Sequence, residues 1–135
     1  MKIAAILQKR SEILWKDKVF LIAEDDKYNF RIIEELLRIT NVTIIHAWNG
    51  KEVLEKIRTI KNIDLILMDI RMPVMNGLIA TKEIRKFLPG ITIIAQTAYA
   101  NEEDKKLCIV AGCNDYIAKP IKKEELKTMI RKYFL

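Results

Sequence analysis

The chain has 135 residues, of which 50% are hydrophobic and 31% charged, with four Gly and three Pro. That length and composition fit one domain with a sizeable core and exclude wholesale disorder and collagen-like or low-complexity architecture. Lys and Arg outnumber Asp and Glu by 24 to 18, a net charge of +6, which falls short of a dedicated nucleic-acid binder and leaves an acidic partner open.

The first apolar run, Ile3 to Leu7, is broken at once by Gln8, Lys9 and Arg10. It is too short for a signal-peptide core, and no run of apolar residues is long enough to span a bilayer, so no membrane insertion is expected. Residues 1–18 read as a helical linker or N-terminal extension, because Ile3, Ile6, Leu7, Ile13 and Leu14 follow helical spacing around Arg10. Five basic and two acidic residues fall in it, half of the chain's positive excess.

From Val19 onward, short β-branched apolar runs alternate with segments of helical period, the pattern of βα units wound into a parallel sheet. Val19 to Ala23, Thr43 to Ala47, Leu65 to Met68, Ile91 to Gln96 and Tyr116 to Ala118 read as strands, nearly all apolar as if buried on both faces. Helices are predicted at about Tyr28 to Ile39, Lys51 to Thr59, Leu78 to Phe87 and Glu102 to Ala111. A last helix carries Leu126, Met129, Ile130, Tyr133 and Phe134 as one apolar stripe, with Lys123, Lys127 and Arg131 facing away. The fold expected for residues 19–135 is an α/β doubly wound sandwich, with ligands bound where loops leave the carboxyl ends of the strands.

One His and two Cys do not fill a structural zinc site, and there is no CxxC pair. With no secretory signal, Cys108 and Cys113 read as reduced thiols of a cytoplasmic protein. His46 reads as a packed strand residue. The basic residues Lys122, Lys123, Lys127, Arg131 and Lys132 read as a solvated face, and no helix-turn-helix or zinc-finger segment accompanies them, so no direct nucleic-acid binding is expected.

Glu24, Asp25 and Asp26 follow the first strand and Asp69 follows the third, so a parallel sheet brings these acids to one edge. Two carboxylates about 4 Å apart repel by roughly 4 kcal/mol at an effective dielectric near 20, and such a cluster invites a cation or a raised pKa. An all-oxygen site suits Mg²⁺. Asp26, at the mouth of the first helix, reads as a helix cap instead. Thr97 after the fourth strand and Lys119 after the fifth, ahead of Pro120, add a hydroxyl and an ammonium at the same edge.

These residues resemble the receiver domain of two-component response regulators, from Val19 to the C-terminus. FLIAEDD is similar to the receiver's acidic pair at Glu24 and Asp25, LILMDIRMPVMNG to its phosphoacceptor loop with Asp69, IIAQTAYA to the segment with its switch hydroxyl at Thr97, and DYIAKPI to the segment with its lysine at Lys119. The resemblance implies a flavodoxin-like sheet in the strand order 2-1-3-4-5. It also implies that Asp69 accepts a phosphoryl group from a phosphohistidine on a histidine kinase or histidine phosphotransfer protein. Mg²⁺ would be held by Asp25, Asp69 and the backbone carbonyl of Arg71, with Glu24 acting largely through water. Thr97 and the amide of Ala98 would complete the phosphate cradle with Lys119, since phosphoryl transfer needs positioning and charge stabilisation above all. Met72, Pro73 and Gly77 would shape the loop after Asp69. Phosphorylation would draw Thr97 toward the phosphate and let Tyr116 turn inward, changing the face formed by the fourth helix, fifth strand and fifth helix. A downstream protein, or a second phosphorylated copy, would dock there. Arg71 and Tyr99 flank the path of water to the acyl phosphate and are expected to lengthen its life.

The resemblance makes the chain a phosphoacceptor and not an enzyme in its own right. A phosphate-independent interaction module is an alternative that the full Glu24, Asp25, Asp69, Thr97 and Lys119 set opposes. An aspartyl-nucleophile, Mg²⁺-dependent phosphatase is another, and Ile70 and Arg71 after Asp69 leave it without its second Asp. The Trp15 segment ahead of the first strand resembles hybrid sensor kinases more than single-domain regulators, and the chain is expected to carry no output domain after its last helix.

Overall fold

The computed structural model describes residues 2–3, 15–99 and 101–134. Lys2 and Ile3 are helical, and residues 4–14 of the expected linker helix lie outside the described residues. Among the described residues from Val19 on, five strands alternate with five helices: β1 Val19–Ala23, α1 Lys27–Leu37, β2 Thr43–Ala47, α2 Gly50–Thr59, β3 Leu65–Asp69, α3 Gly77–Phe87, β4 Thr92–Thr97, α4 Glu102–Ala111, β5 Asp115–Ala118 and α5 Lys123–Arg131. All four strand pairings are parallel, in the order β2-β1-β3-β4-β5, the flavodoxin-like arrangement expected.

Local chemistry starts the first four helices in the same way. Asp26, Asn49, Asn76 and Asn101 each accept backbone N–H bonds of the first turn that follows, contributing about 1 kcal/mol apiece. The first helix ends earlier than its periodicity suggests, at Leu37, and a 3-10 turn Arg38–Thr40 follows. The Thr40 hydroxyl donates to the Leu37 carbonyl at 2.6 Å, and Asn41 adopts a left-handed φ of 59°, so the side chain satisfies a carbonyl that the helix leaves open.

Two apolar layers enclose the sheet. One packs β-strand residues such as Ile66, Met68 and Ile93 against Val53 and Ile57 of α2, Ala80 and Ile84 of α3 and Cys108 of α4. The other packs Phe20, Ile22, Leu67 and Ile94 against Ile33 and Leu37 of α1 and Leu126 and Ile130 of α5, together with Trp15. Trp15 is 3% exposed and lies 5.8 Å from the Phe20 ring.

Three expectations are corrected. β2 and β5 are edge strands, with only Ala47 and Ile117 buried in them, so only the three central strands are covered on both faces. Lys127 does not face away: it is 4% exposed on the packed side of α5 beside Leu126. Tyr133 and Phe134 lie beyond the helix, Phe134 stacking on Phe20 and the Tyr133 hydroxyl donating to Asp115.

Candidate functional site

Three strand ends build the site. β1 runs into Glu24 and Asp25, β3 ends on Asp69 itself, and Lys119 follows β5 immediately. One oxygen from each of Glu24, Asp25 and Asp69 lies within 4.8 Å of the others, a spacing at which two full charges repel by about 3 to 4 kcal/mol at an effective dielectric of 20. Lys119 Nζ offsets that repulsion by donating to Glu24 Oε1 at 2.9 Å and to Asp69 Oδ2 at 3.0 Å. Asp69 Oδ1 accepts from the Arg71 amide at 3.0 Å, so both oxygens of this buried carboxylate are engaged.

Burial, followed by the hydrogen bond to and charge of Asp69, pushes the Glu24 carboxyl up to about 7 against the pull of Lys119. Burial would lower the Lys119 ammonium, but its bonds to the two carboxylates and their charges outweigh it and raise it. Neighbouring residues hold the frame. His46 Nε2 donates to the Glu24 carbonyl at 2.8 Å while its ring stacks on Phe30 at 3.8 Å. A Cβ added to Gly77 would collide with the Asp69 carbonyl oxygen and sit 2.8 Å from Met68 Cγ, so only glycine lets α3 approach the end of β3 this closely.

Thr97 and Ala98 stand at the end of β4, on the same edge of the sheet. The Thr97 hydroxyl is turned to α4 and its leading loop, bonding Tyr99 and Asp104 instead of Lys119 or Asp69. The Arg71 guanidinium lies over the Tyr99 ring, 4.6 Å from its centroid, so these two exposed side chains brace each other beside Asp69. Tyr116 sits in β5, partly buried, with Lys105 Nζ 4.9 Å from its ring centre.

Two further residues belong to this neighbourhood without having been singled out by spacing. Gln96 is fully buried, and its Nε2 reaches across β3 to donate to the Ala23 carbonyl at 3.2 Å, just ahead of Glu24 and Asp25. Its Oε1 has no protein partner and borders a hollow of about 70 Å³ that Glu24, Asn29 and Lys119 also line. A lone Gln in the apolar run IIAQT was the available signal, since a polar side chain buried in a central strand must find partners. Asp104 is the second, masked by its place three residues after the helix cap Asn101, where an acid has an ordinary helix-start explanation.

Comparisons with known proteins identify the family. The model of the response regulator receiver domain matches residues 20–131. The chain belongs to the receiver domain family. The receiver is 35% identical over 120 residues to the osmosensing histidine protein kinase SLN1 of Saccharomyces cerevisiae, covering 84% of this chain and 10% of that protein. It is 36% identical over 133 residues to the hybrid signal transduction histidine kinase L of Dictyostelium discoideum, covering 93% of this chain and 8% of that protein. It therefore spans a tenth or less of the length of these relatives. Among solved structures, the receiver domain of sensor histidine kinase PA1611 from Pseudomonas aeruginosa PAO1 has a TM-score of 0.77 at 36% identity, over 87% of this chain and 97% of that one. That structure has a magnesium ion coordinated in its active site cleft. The receiver domain of Ssk1, solved with the histidine phosphotransfer signaling protein Ypd1 of Saccharomyces cerevisiae, has a TM-score of 0.81 at 31% identity over 87% of this chain and 88% of that one. No helix among the described residues is long and apolar enough to cross a membrane.

Proposed function

We propose that this receiver is a phosphoacceptor in a two-component phosphorelay, with Asp69 as the residue phosphorylated. The observation that carries the reading is the grip of Lys119 on Glu24 and Asp69 beside Asp25, at the carboxyl ends of β5, β1 and β3. A carboxylate oxygen of Asp69 attacks phosphorus of a partner's phosphohistidine; the P–N bond breaks and its electron pair stays on the imidazole nitrogen. Lys119 is already within reach of the charge that moves, and Thr97 and the Ala98 amide close the cradle from the β4 side. Little covalent help is needed, because positioning and electrostatic stabilisation carry most phosphoryl transfers.

The donor set fits Mg²⁺: three carboxylates within one ion's reach, all hard oxygen ligands. Glu24, Asp25, Asp69 and the Arg71 carbonyl would hold it. When bound, Mg²⁺ supplies positive charge to the transferring oxygens. The chain acts as the acceptor, self-phosphorylating from small donors and self-dephosphorylating, and turns over no separate substrate. Residues 19–135 form the receiver unit with 1–18 as its lead-in, in the cytoplasm, receiving phosphate from a histidine kinase or histidine phosphotransfer protein. Its output is the α4–β5–α5 face, offered to a downstream protein or to a second phosphorylated copy.

Incubation with Mg²⁺ and acetyl phosphate tests the reading by intact mass. The wild type is expected to gain one phosphoryl group and Asp69→Asn to gain none; a wild type that takes no phosphate overturns it.

A further inference from the structure

The Thr97 hydroxyl carries a single proton, and in this structure that proton is already claimed. Thr97 is 2% exposed. Its Oγ1 accepts from the Tyr99 amide at 3.0 Å and faces two acceptors at 3.3 Å, the Tyr99 carbonyl and Asp104 Oδ2. A carboxylate is the stronger of the two, since bonds to an ionised acceptor are about twice as strong as neutral ones. Asp104 lies in the first turn of α4, 8% exposed, with its own amide held by Asn101 Oδ1 at 2.8 Å. The Thr97 hydroxyl is the side-chain donor that reaches its carboxylate among the described residues. The next residue, Lys105, lies against the Tyr116 ring, its Nζ 4.9 Å from the ring centroid. One turn of α4 thus grips both the hydroxyl and the ring that the switch has to move.

We infer that Asp104 is a positioning residue of the switch: its carboxylate competes with the phosphoryl group on Asp69 for the Thr97 proton and holds Thr97 toward α4 until phosphate wins. The inference rests on the reading of Thr97 as the switch hydroxyl and adds the group that sets its resting state. Thr97 can donate to one acceptor at a time, so each bond to Asp104 is one withheld from phosphate. Release does not strand Asp104 in an apolar place. Its carboxyl borders an open cleft of about 440 Å³, also lined by Arg71, Asn76 and Leu107, where water can solvate it.

A double-mutant cycle on the full chain separates this role from a structural one. With acetyl phosphate and Mg²⁺, Asp104→Ala is expected to raise the rate of Asp69 phosphorylation by about fivefold, the fold-change of one hydrogen bond of about 1 kcal/mol. In a Thr97→Ala background the same substitution is expected to change nothing. Asp104→Asn, which keeps an acceptor in place, should stay within about twofold of the wild type. If Asp104→Ala acts equally in both backgrounds, or Asp104→Asn behaves like Asp104→Ala, the inference falls and the reading of Thr97 stands. If Thr97→Ala itself leaves phosphorylation unchanged, the reading of Thr97 falls and the inference with it. One measurement needs no substitution: scalar couplings that report the Thr97 χ1 angle are expected to show one rotamer in the free protein and another once it is phosphorylated. An unchanged rotamer in the phosphorylated protein overturns the inference.

Discussion

Glu24→Gln isolates the strongest electrostatic feature of the site. In the metal-free domain the Glu24 side chain is fully buried and its carboxyl is pushed from the ordinary 4.5 up to about 7, a shift that corresponds to about 3 kcal/mol. The folded value lies above the unfolded one, so between about pH 4.5 and 7 the folded chain keeps a proton that the unfolded chain releases. The contribution to stability is therefore present in full below pH 4.5 and is lost as pH rises through 7. Lys119 is shifted upward from 10.5 and titrates outside this window. Urea unfolding in the presence of a chelator, from pH 4.5 to 7.5, reads the effect directly. The wild type is expected to lose about 3 kcal/mol more over that range than Glu24→Gln, or about 10 °C in Tm for a domain of this size. Added Mg²⁺ binds the ionised carboxylates, so its stabilising effect should grow as pH rises from 5 to 7.5. Equal pH slopes in the two proteins would refute the reasoning.

Gly77→Ala forces a Cβ into the Asp69 backbone, where no flexible side chain can yield; urea unfolding is expected to show a loss of about 1 to 3 kcal/mol, and phosphorylation from acetyl phosphate should slow. Gln96→Leu removes the tie to Ala23 that steadies the Glu24–Asp25 turn, and Mg²⁺ affinity followed by Trp fluorescence should weaken by about tenfold, as for other supports behind metal ligands; unchanged affinity would remove Gln96 from the site. The Arg71→Ala, Tyr99→Ala double variant removes the stacked pair beside Asp69, and its phosphate half-life should shorten by a few fold, matching a cation–π contact of about 0.5–1 kcal/mol. Tyr116→Ala should still take phosphate while partner affinity stops responding to it, which pull-down with and without acetyl phosphate would show.

The central strands and the edge that carries the site were legible because one rule governs both. Parallel strands must be covered on two faces, so β1, β3 and β4 read as apolar runs, and whatever polar residue ends such a run is thrown to the carboxyl edge. That logic reaches Glu24, Asp25, Asp69, Thr97 and Lys119, whose side chains the fold brings to that edge. It fails where a polar residue is buried for a reason outside its own segment. Gln96 reaches over β3 to Ala23, 73 positions away, and Asp104 turns from its helix cap toward Thr97; neither partner shares a local period with it. Lys127 shows the same limit, because helical spacing turns a lysine outward while here it is buried beside Leu126. The early end of α1 likewise depends on the Thr40 hydroxyl, a contact invisible to apolar periodicity.

Under the proposed function, charge is what would drive the switch. Before transfer, Asp69 divides its two oxygens between Lys119 and the Arg71 amide, and Lys119 divides its protons between Asp69 and Glu24. Phosphorylation would replace the carboxylate charge by the −1.5 to −2 of a phosphoryl group, a gain of about half to one negative charge at a place already crowded with acids. Lys119 is fixed at the end of β5 and shared with Glu24, so it cannot follow the new charge without loosening the β1 end. On the proposed reading the Thr97 hydroxyl is the group that would turn, because the two bonds its proton can make, to Asp104 and the Tyr99 carbonyl, are both long at 3.3 Å. Two or three charge-assisted bonds of about 1.5–3 kcal/mol each reach the 5.5 kcal/mol or so that moves a two-state element from 1:99 to 99:1. On the proposed reading such a switch would be silent because its movable donor is occupied, and its release would be coupled through adjacent Asp104 and Lys105 to the Tyr116 ring on the proposed output face.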